Sequence, residues 1–141
     1  MVQYPYVLYP SREAWMEHFR DGIGASEAAA VLGVSPWKSN VALWEEKVGL
    51  TVPEDIGDKP YVRYGTEAEP LLRELFALDH PEYDVSFTPF LVYHHPDKPY
   101  ITCTPDGELV ERATGARGGL EIKTTEIMSA LDWERWKGQI P

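Results

Sequence analysis

Pro105-Asp106-Gly107, then Glu108-Leu109-Val110-Glu111, a polar glycine-containing turn, and Leu120-Glu121-Ile122-Lys123 form the stretch on which the fold turns. Residues 119 to 124 read as a strand, so side chains alternate between faces. Leu120 and Ile122 then point to the core, while Glu121 and Lys123 share the other face. With Asp106 at a neighbouring strand end, two acids and an ammonium gather at one end of a hairpin. Such a set is able to hold a magnesium ion and to stabilise a charged phosphoryl transition state. Each local signal is weak alone. Glu-x-Lys is common on solvated strand faces, where a facing pair contributes a few tenths of a kcal/mol, and Asp-Gly is an ordinary turn signal, the glycine supplying unusual backbone angles. Order and spacing raise both: an acid, one intervening strand and turn, then an acid and a lysine on one face.

Working outward, Tyr100 to Thr104, Glu108 to Glu111 and Gly119 to Thr124 read as strands. So do Val85 to Thr88 and Phe90 to Tyr93, interrupted by Pro89, with a turn at His94-His95-Pro96-Asp97. A helix from about Thr66 to Leu78 carries Ala68, Leu72, Leu75 and Phe76 on one stripe. The first third is helical: Ser11 caps a helix through Arg20, with Trp15 and Phe19 four residues apart. A short alanine-rich helix follows Ser26 and stops at Gly33, and Ser39 precedes Val41 to Val48, stopped by Gly49. A last helix runs from about Ile127 to Lys137. Trp15, Trp44, Trp133 and Trp136 fall at helical positions and read as core. The sum is one α/β domain, residues 1 to 141, without internal repeat or low-complexity segment.

Composition bounds the function. The 141 residues are 43% apolar and 12% aromatic, which excludes a disordered chain and is enough to bury a core. No basic leader or stretch of about 18 apolar residues is seen, so a cytoplasmic chain without membrane contact is expected. Cys103 is the sole cysteine, which excludes an intrachain disulfide and a cysteine zinc cluster. Thirteen Lys and Arg against 23 Asp and Glu give a net charge of −10, against the basic face usual in nucleic-acid binders. A metal-dependent phosphodiesterase, however, needs clustered carboxylates, and each divalent ion offsets two of their charges.

Two further features carry alternatives. Thr66-Glu67-Ala68-Glu69 matches a capping box, in which Glu69 folds back onto a helix start. Glu69 also lies three and seven residues before Leu72 and Phe76, on the apolar stripe, where a carboxylate must be paired, protonated or on a metal; Glu67 falls on the solvated face. Arg20-Asp21-Gly22-Ile23-Gly24-Ala25-Ser26-Glu27 is a glycine-containing loop running into a helix start. Its free N–H groups suit a terminal phosphate, with Arg20 as clamp, or it is an ordinary turn with Ser26 as cap. His94 and His95 lack zinc-ligand spacing and read as exposed turn residues, and no Walker, Rossmann or GxSxG pattern occurs.

In order, these motifs resemble the phage lambda exonuclease and YqaJ-like viral recombinase branch of the PD-(D/E)xK nucleases. The resemblance runs through residues 20–27, Ser35-Pro36-Trp37, Arg63-Tyr64-Gly65-Thr66-Glu67-Ala68-Glu69-Pro70, Pro105-Asp106-Gly107, Leu120-Glu121-Ile122-Lys123 and Gly138-Gln139-Ile140-Pro141. It implies a restriction-endonuclease-like core, a mixed β-sheet flanked by helices, and magnesium-dependent 5′-to-3′ digestion of duplex DNA ends, with manganese able to substitute. It further implies that Asp106, Glu121 and the carbonyl of Ile122 ligate the metal. Glu69 then holds a second ion or its water, Lys123 positions the attacking water, and Arg20 and Ser26 take the 5′-phosphate. A single-strand annealing protein and a homotrimer are the implied partners. In the family a helix and further strands follow the Gly-Gln-Ile-Pro segment, so a C-terminally truncated form is expected. The alternative to an enzyme is a non-catalytic module that keeps the fold to bind DNA ends or a protein.

Overall fold

A computed structural model describes residues 4–18, 21–54, 56–125 and 130–136. Helix α1 spans Arg12–His18, and the Ser11 hydroxyl accepts from the Ala14 N–H at 3.3 Å, the expected cap. Helix α2 is a four-residue piece, Ala28–Val31. Helix α3, Asn40–Lys47, is capped by the Ser39 hydroxyl on Ala42 N–H at 3.1 Å. Gly33 and Gly49 follow these helices at φ +71° and +76°, the left-handed angles that favour glycine at a helix stop. Phe19, Arg20 and the residues from Lys137 onward lie outside the described set, as does the expected start of the last helix; Ala130–Trp136 forms α5.

The long helix α4 departs from expectation. It spans Pro60–Asp79, starting six residues before Thr66. Pro60 stands at the first helical position, where its fixed φ helps and its missing N–H costs nothing. Thr66 is therefore mid-helix, its hydroxyl donating to the Val62 carbonyl at 3.0 Å, and the capping-box reading of Glu69 falls away. Pro70 sits inside the helix and has no N–H for the carbonyl of Thr66.

The strands form two three-stranded antiparallel sheets. In the first, β3 (Leu91–His94) lies between β1 (Tyr6–Leu8) and β4 (Thr102–Cys103). In the second, β5 (Gly107–Glu111) lies between β2 (Tyr83–Ser86) and β6 (Arg117–Leu120). The α/β class is as expected. Its strands divide between two sheets where one mixed sheet was expected, and the parallel component among the described residues is the Ile23–Ile101 bridge. Pro89 and Phe90, the latter at φ +62°, make the turn that ends one sheet's chain and begins the other's.

The centre of β3 is the driest place described: Val92 is 1% exposed, with Leu91, Ala30 and Leu43 also buried. The two sheets are joined through Glu108 of β5. Its carboxylate accepts from Tyr93 Oη of β3 at 2.5 Å and from Thr88 Oγ1 at 2.9 Å, which offsets the cost of burying its charge. Trp44 and Trp133 correct the sequence reading, for both are 57% exposed. In α3 the buried position is Leu43, and the next residue lies about 100° around the helix. His94 and His95 are half-buried, not exposed. The ring of His95 accepts from the N–H groups of Asp97 and Lys98 and so shapes the turn. Among the described residues no helix is long and apolar enough to cross a membrane.

Candidate functional site

Strand β6 ends at Leu120, so Glu121, Ile122 and Lys123 lie beyond the sheet, not within it as expected. The alternation nevertheless persists: Leu120 and Ile122 are half-buried, Glu121 and Lys123 exposed. The extended segment is held in line by Asp106, whose Oδ2 accepts from the Ile122 N–H at 2.6 Å, while Asp106 N–H donates to the Leu120 carbonyl at 3.0 Å. Gly107 opens β5 without a left-handed φ. A Cβ there would meet Leu120 Cβ and Cδ2 at 3.3 Å, so its smallness lets β5 and β6 pair closely. Space, not backbone angle, is what Asp-Gly provides here.

Helix α4 closes the other side. A Cβ on Gly65 would lie 3.3 Å from Thr124 Oγ1, so glycine lets the helix approach the 121–124 segment. Between them is a cleft of about 340 Å³ walled by Tyr61, Gly65 and Thr66 on the helix side, by Ile122, Lys123 and Thr124 opposite, and by Glu69 and Asp106. An apolar cavity of about 170 Å³, ringed by Trp15, Phe87 and Phe90, shares Glu69 and Asp106 with it. Glu69 is thus on the inward stripe, as its spacing from Leu72 and Phe76 predicts. Burial pushes its pKa above the ordinary carboxylate range, as does the charge of Asp106; Arg73 pulls it down, and Glu121 adds to the rise. The Cys103 residue is exposed, yet partial burial of its thiol pushes the pKa up, and Glu121 and Asp106 add to the rise. The charges of Asp106 and Glu121 therefore both reach Glu69. Lys123 is paired with Glu121, which confirms that the two share a face.

The loop at residues 21–27 is built differently. Ala25–Glu27 is a short 3-10 turn whose N-cap is Gly24, so Ser26 is not the cap. Glu27 does the capping, its Oε2 accepting from Gly24 N–H at 3.1 Å, and its Oε1 pairs with Lys47 at 2.9 Å. The Ser26 side chain is exposed, and Arg20 lies outside the described residues.

Residues 14–141 match the YqaJ-like viral recombinase domain. The chain belongs to this family. The protein YqaJ of Bacillus subtilis (strain 168), itself described as uncharacterized, is 30% identical over 125 residues. The match takes in 88% of this chain, which spans 37% of the length of that curated relative.

Whether this YqaJ-like cleft fits a divalent ion depends on its donors. Among the described residues no three His, Cys, Asp or Glu side chains form a ready cage. Magnesium does not require one: it keeps several waters and takes one or two carboxylates. The oxygens of Asp106, Glu121, Glu69 and the Ile122 carbonyl are hard donors of the kind magnesium takes. Burial is the first cause of the raised Glu69 pKa and the charge of Asp106 adds to it, a repulsion that a cation would relieve. In donor chemistry these residues suit the ion.

Sequence reasoning missed Arg73. It pairs with Glu69 at 2.6 Å, donates from Nε to the Asp106 carbonyl at 2.6 Å, and lies 3.9 Å over the Phe87 ring. The signal available was the i, i+4 spacing from Glu69; the Asp106 contact, 33 residues away, had none.

Proposed function

We propose that this chain carries the hydrolytic centre of a metal-dependent DNA exonuclease, acting 5′-to-3′ on duplex ends in phage-type recombination or end processing. The observation that supports it is the convergence of Glu69, Asp106, Ile122 and Lys123 on one cleft, with Glu121 on the same segment. Asp106, Glu121 and the Ile122 carbonyl would hold magnesium, or manganese in its place, and Glu69 a second ion or its water. Such an ion supplies charge stabilisation at the phosphoryl oxygens and a more acidic water. The chain's own groups do the rest. The ammonium of Lys123, released from Glu121 when a phosphate competes for it, orients the attacking water and offsets charge building on the phosphate. Arg20 and Ser26 would receive the 5′-phosphate. The reading extends to a single-strand annealing protein as partner and to a trimeric assembly.

The test uses linear duplex DNA with 5′-phosphate or 5′-hydroxyl ends and magnesium, comparing the chain with Asp106→Ala and Lys123→Ala. The expected result is 5′-phosphate-dependent loss of one strand, abolished by both substitutions. Identical traces for all three proteins would overturn the reading in favour of a non-catalytic module that binds DNA ends or a protein. Two observations favour that second reading: Glu121 and Lys123 neutralise each other, and the net charge is −10.

A further inference from the structure

Arg73 sits one helical turn beyond Glu69 on α4 with its side chain only 14% exposed. An exposed i, i+4 pair contributes little and positions nothing else. Arg73 differs because its guanidinium is held from three directions. Nη2 donates to Glu69 Oε1 at 2.6 Å, Nε donates to the Asp106 carbonyl at 2.6 Å, and the flat face covers the ring of Phe87 at 3.9 Å. Asp106 in turn holds the Ile122 N–H through Oδ2 at 2.6 Å. A continuous line of bonds therefore runs from α4 through the Asp106 backbone and carboxylate to the peptide joining Glu121 and Ile122. Glu69 and Asp106 are on that line, and Glu121 and Ile122 flank the peptide at its end.

We infer that Arg73 is a positioning residue: its planar fork sets the Asp106 turn and the Glu69 carboxylate in register, and through them the affinity of the cleft for a divalent cation. The inference rests on the metal-dependent reading above. A lysine supplies the charge but not two donors fixed in one plane, so Arg73→Lys removes the fork while keeping the cation. Phe87→Leu removes the stacking and keeps both hydrogen bonds.

Manganese binding to the full chain, measured by calorimetry without DNA, separates these roles. Arg73→Lys and Arg73→Gln are expected to weaken binding about 10–100-fold, the range for residues that orient metal ligands, while Phe87→Leu stays near wild type. Wild-type affinity in Arg73→Lys, or an equal loss in Phe87→Leu, overturns the inference. If the wild-type chain takes up no manganese, the metal reading has failed, and hydrogen exchange at the Ile122 amide decides the role of Arg73. Exchange about tenfold faster in Arg73→Lys upholds it; unchanged exchange overturns it.

Discussion

The loop leading into α2 and the turn leading into β5 are made of the same materials, a glycine beside acids, and they use them in opposite ways. In the first, both oxygens of Glu27 are satisfied from within the fold, one by the Gly24 N–H and one by Lys47, itself bonded to the Gly22 carbonyl at 2.5 Å. Glu108 is closed in the same manner by Tyr93 and Thr88. In the second region Asp106 and Glu69 line a cleft, each with a structural partner yet facing space that water, a cation or a phosphate can fill. A carboxylate with both oxygens engaged by the protein holds elements together. One left partly uncommitted, among others of like charge, is available for chemistry.

The sharpest way to break this contrast is Asp106→Asn, which keeps an oxygen for the Ile122 N–H but removes the charge. Magnesium-dependent strand loss, followed on labelled duplex ends, is expected to fall on the order of 10³-fold, corresponding to several kcal/mol of transition-state stabilisation. Thermal stability should change little. Gly107→Ala tests the packing under the open site: the contact with Leu120 is expected to cost about 1–3 kcal/mol in urea unfolding. Glu27→Ala tests the closed carboxylate, with an expected loss of about 1–2 kcal/mol as the cap is removed and Lys47 loses a partner.

The last test is a pH dependence at the other closed carboxylate. Burial, and then the bond to Glu108, push the Tyr93 phenol up to about 12 from an ordinary 10.0. Between those values the unfolded chain releases its proton before the folded chain does, so stability falls as pH rises through the interval. In Tyr93→Phe that fall is absent, and the gap between the two unfolding midpoints should narrow from about pH 10 to about pH 12. A constant gap would show that the fold does not raise the Tyr93 phenol.

Much of this molecule was legible because the deciding forces are local. Ser11 and Ser39 cap helices, and Gly33 and Gly49 stop them, since each needs only a hydroxyl or a missing Cβ within one turn of chain. The α/β class and the candidates Glu69, Asp106, Glu121 and Lys123 followed from periodicity and motif order, and Ile122 from the family resemblance alone. Four features were not legible. The start of α4 at Pro60 hid behind a better-looking cap at Thr66. Ser26 lost the capping role to Glu27. Trp44 has a helical spacing that does not say what packs on it.

Arg73 completes the list, since its key acceptor is a backbone carbonyl that no side-chain pattern encodes. Local chemistry thus named the candidate carboxylates and the lysine. Which carboxylates are closed and which remain open was decided only when α4, β5 and the 121–124 segment met. A charge's availability depends on partners distant in sequence and on the burial they share, and neither is written in the order of neighbouring residues.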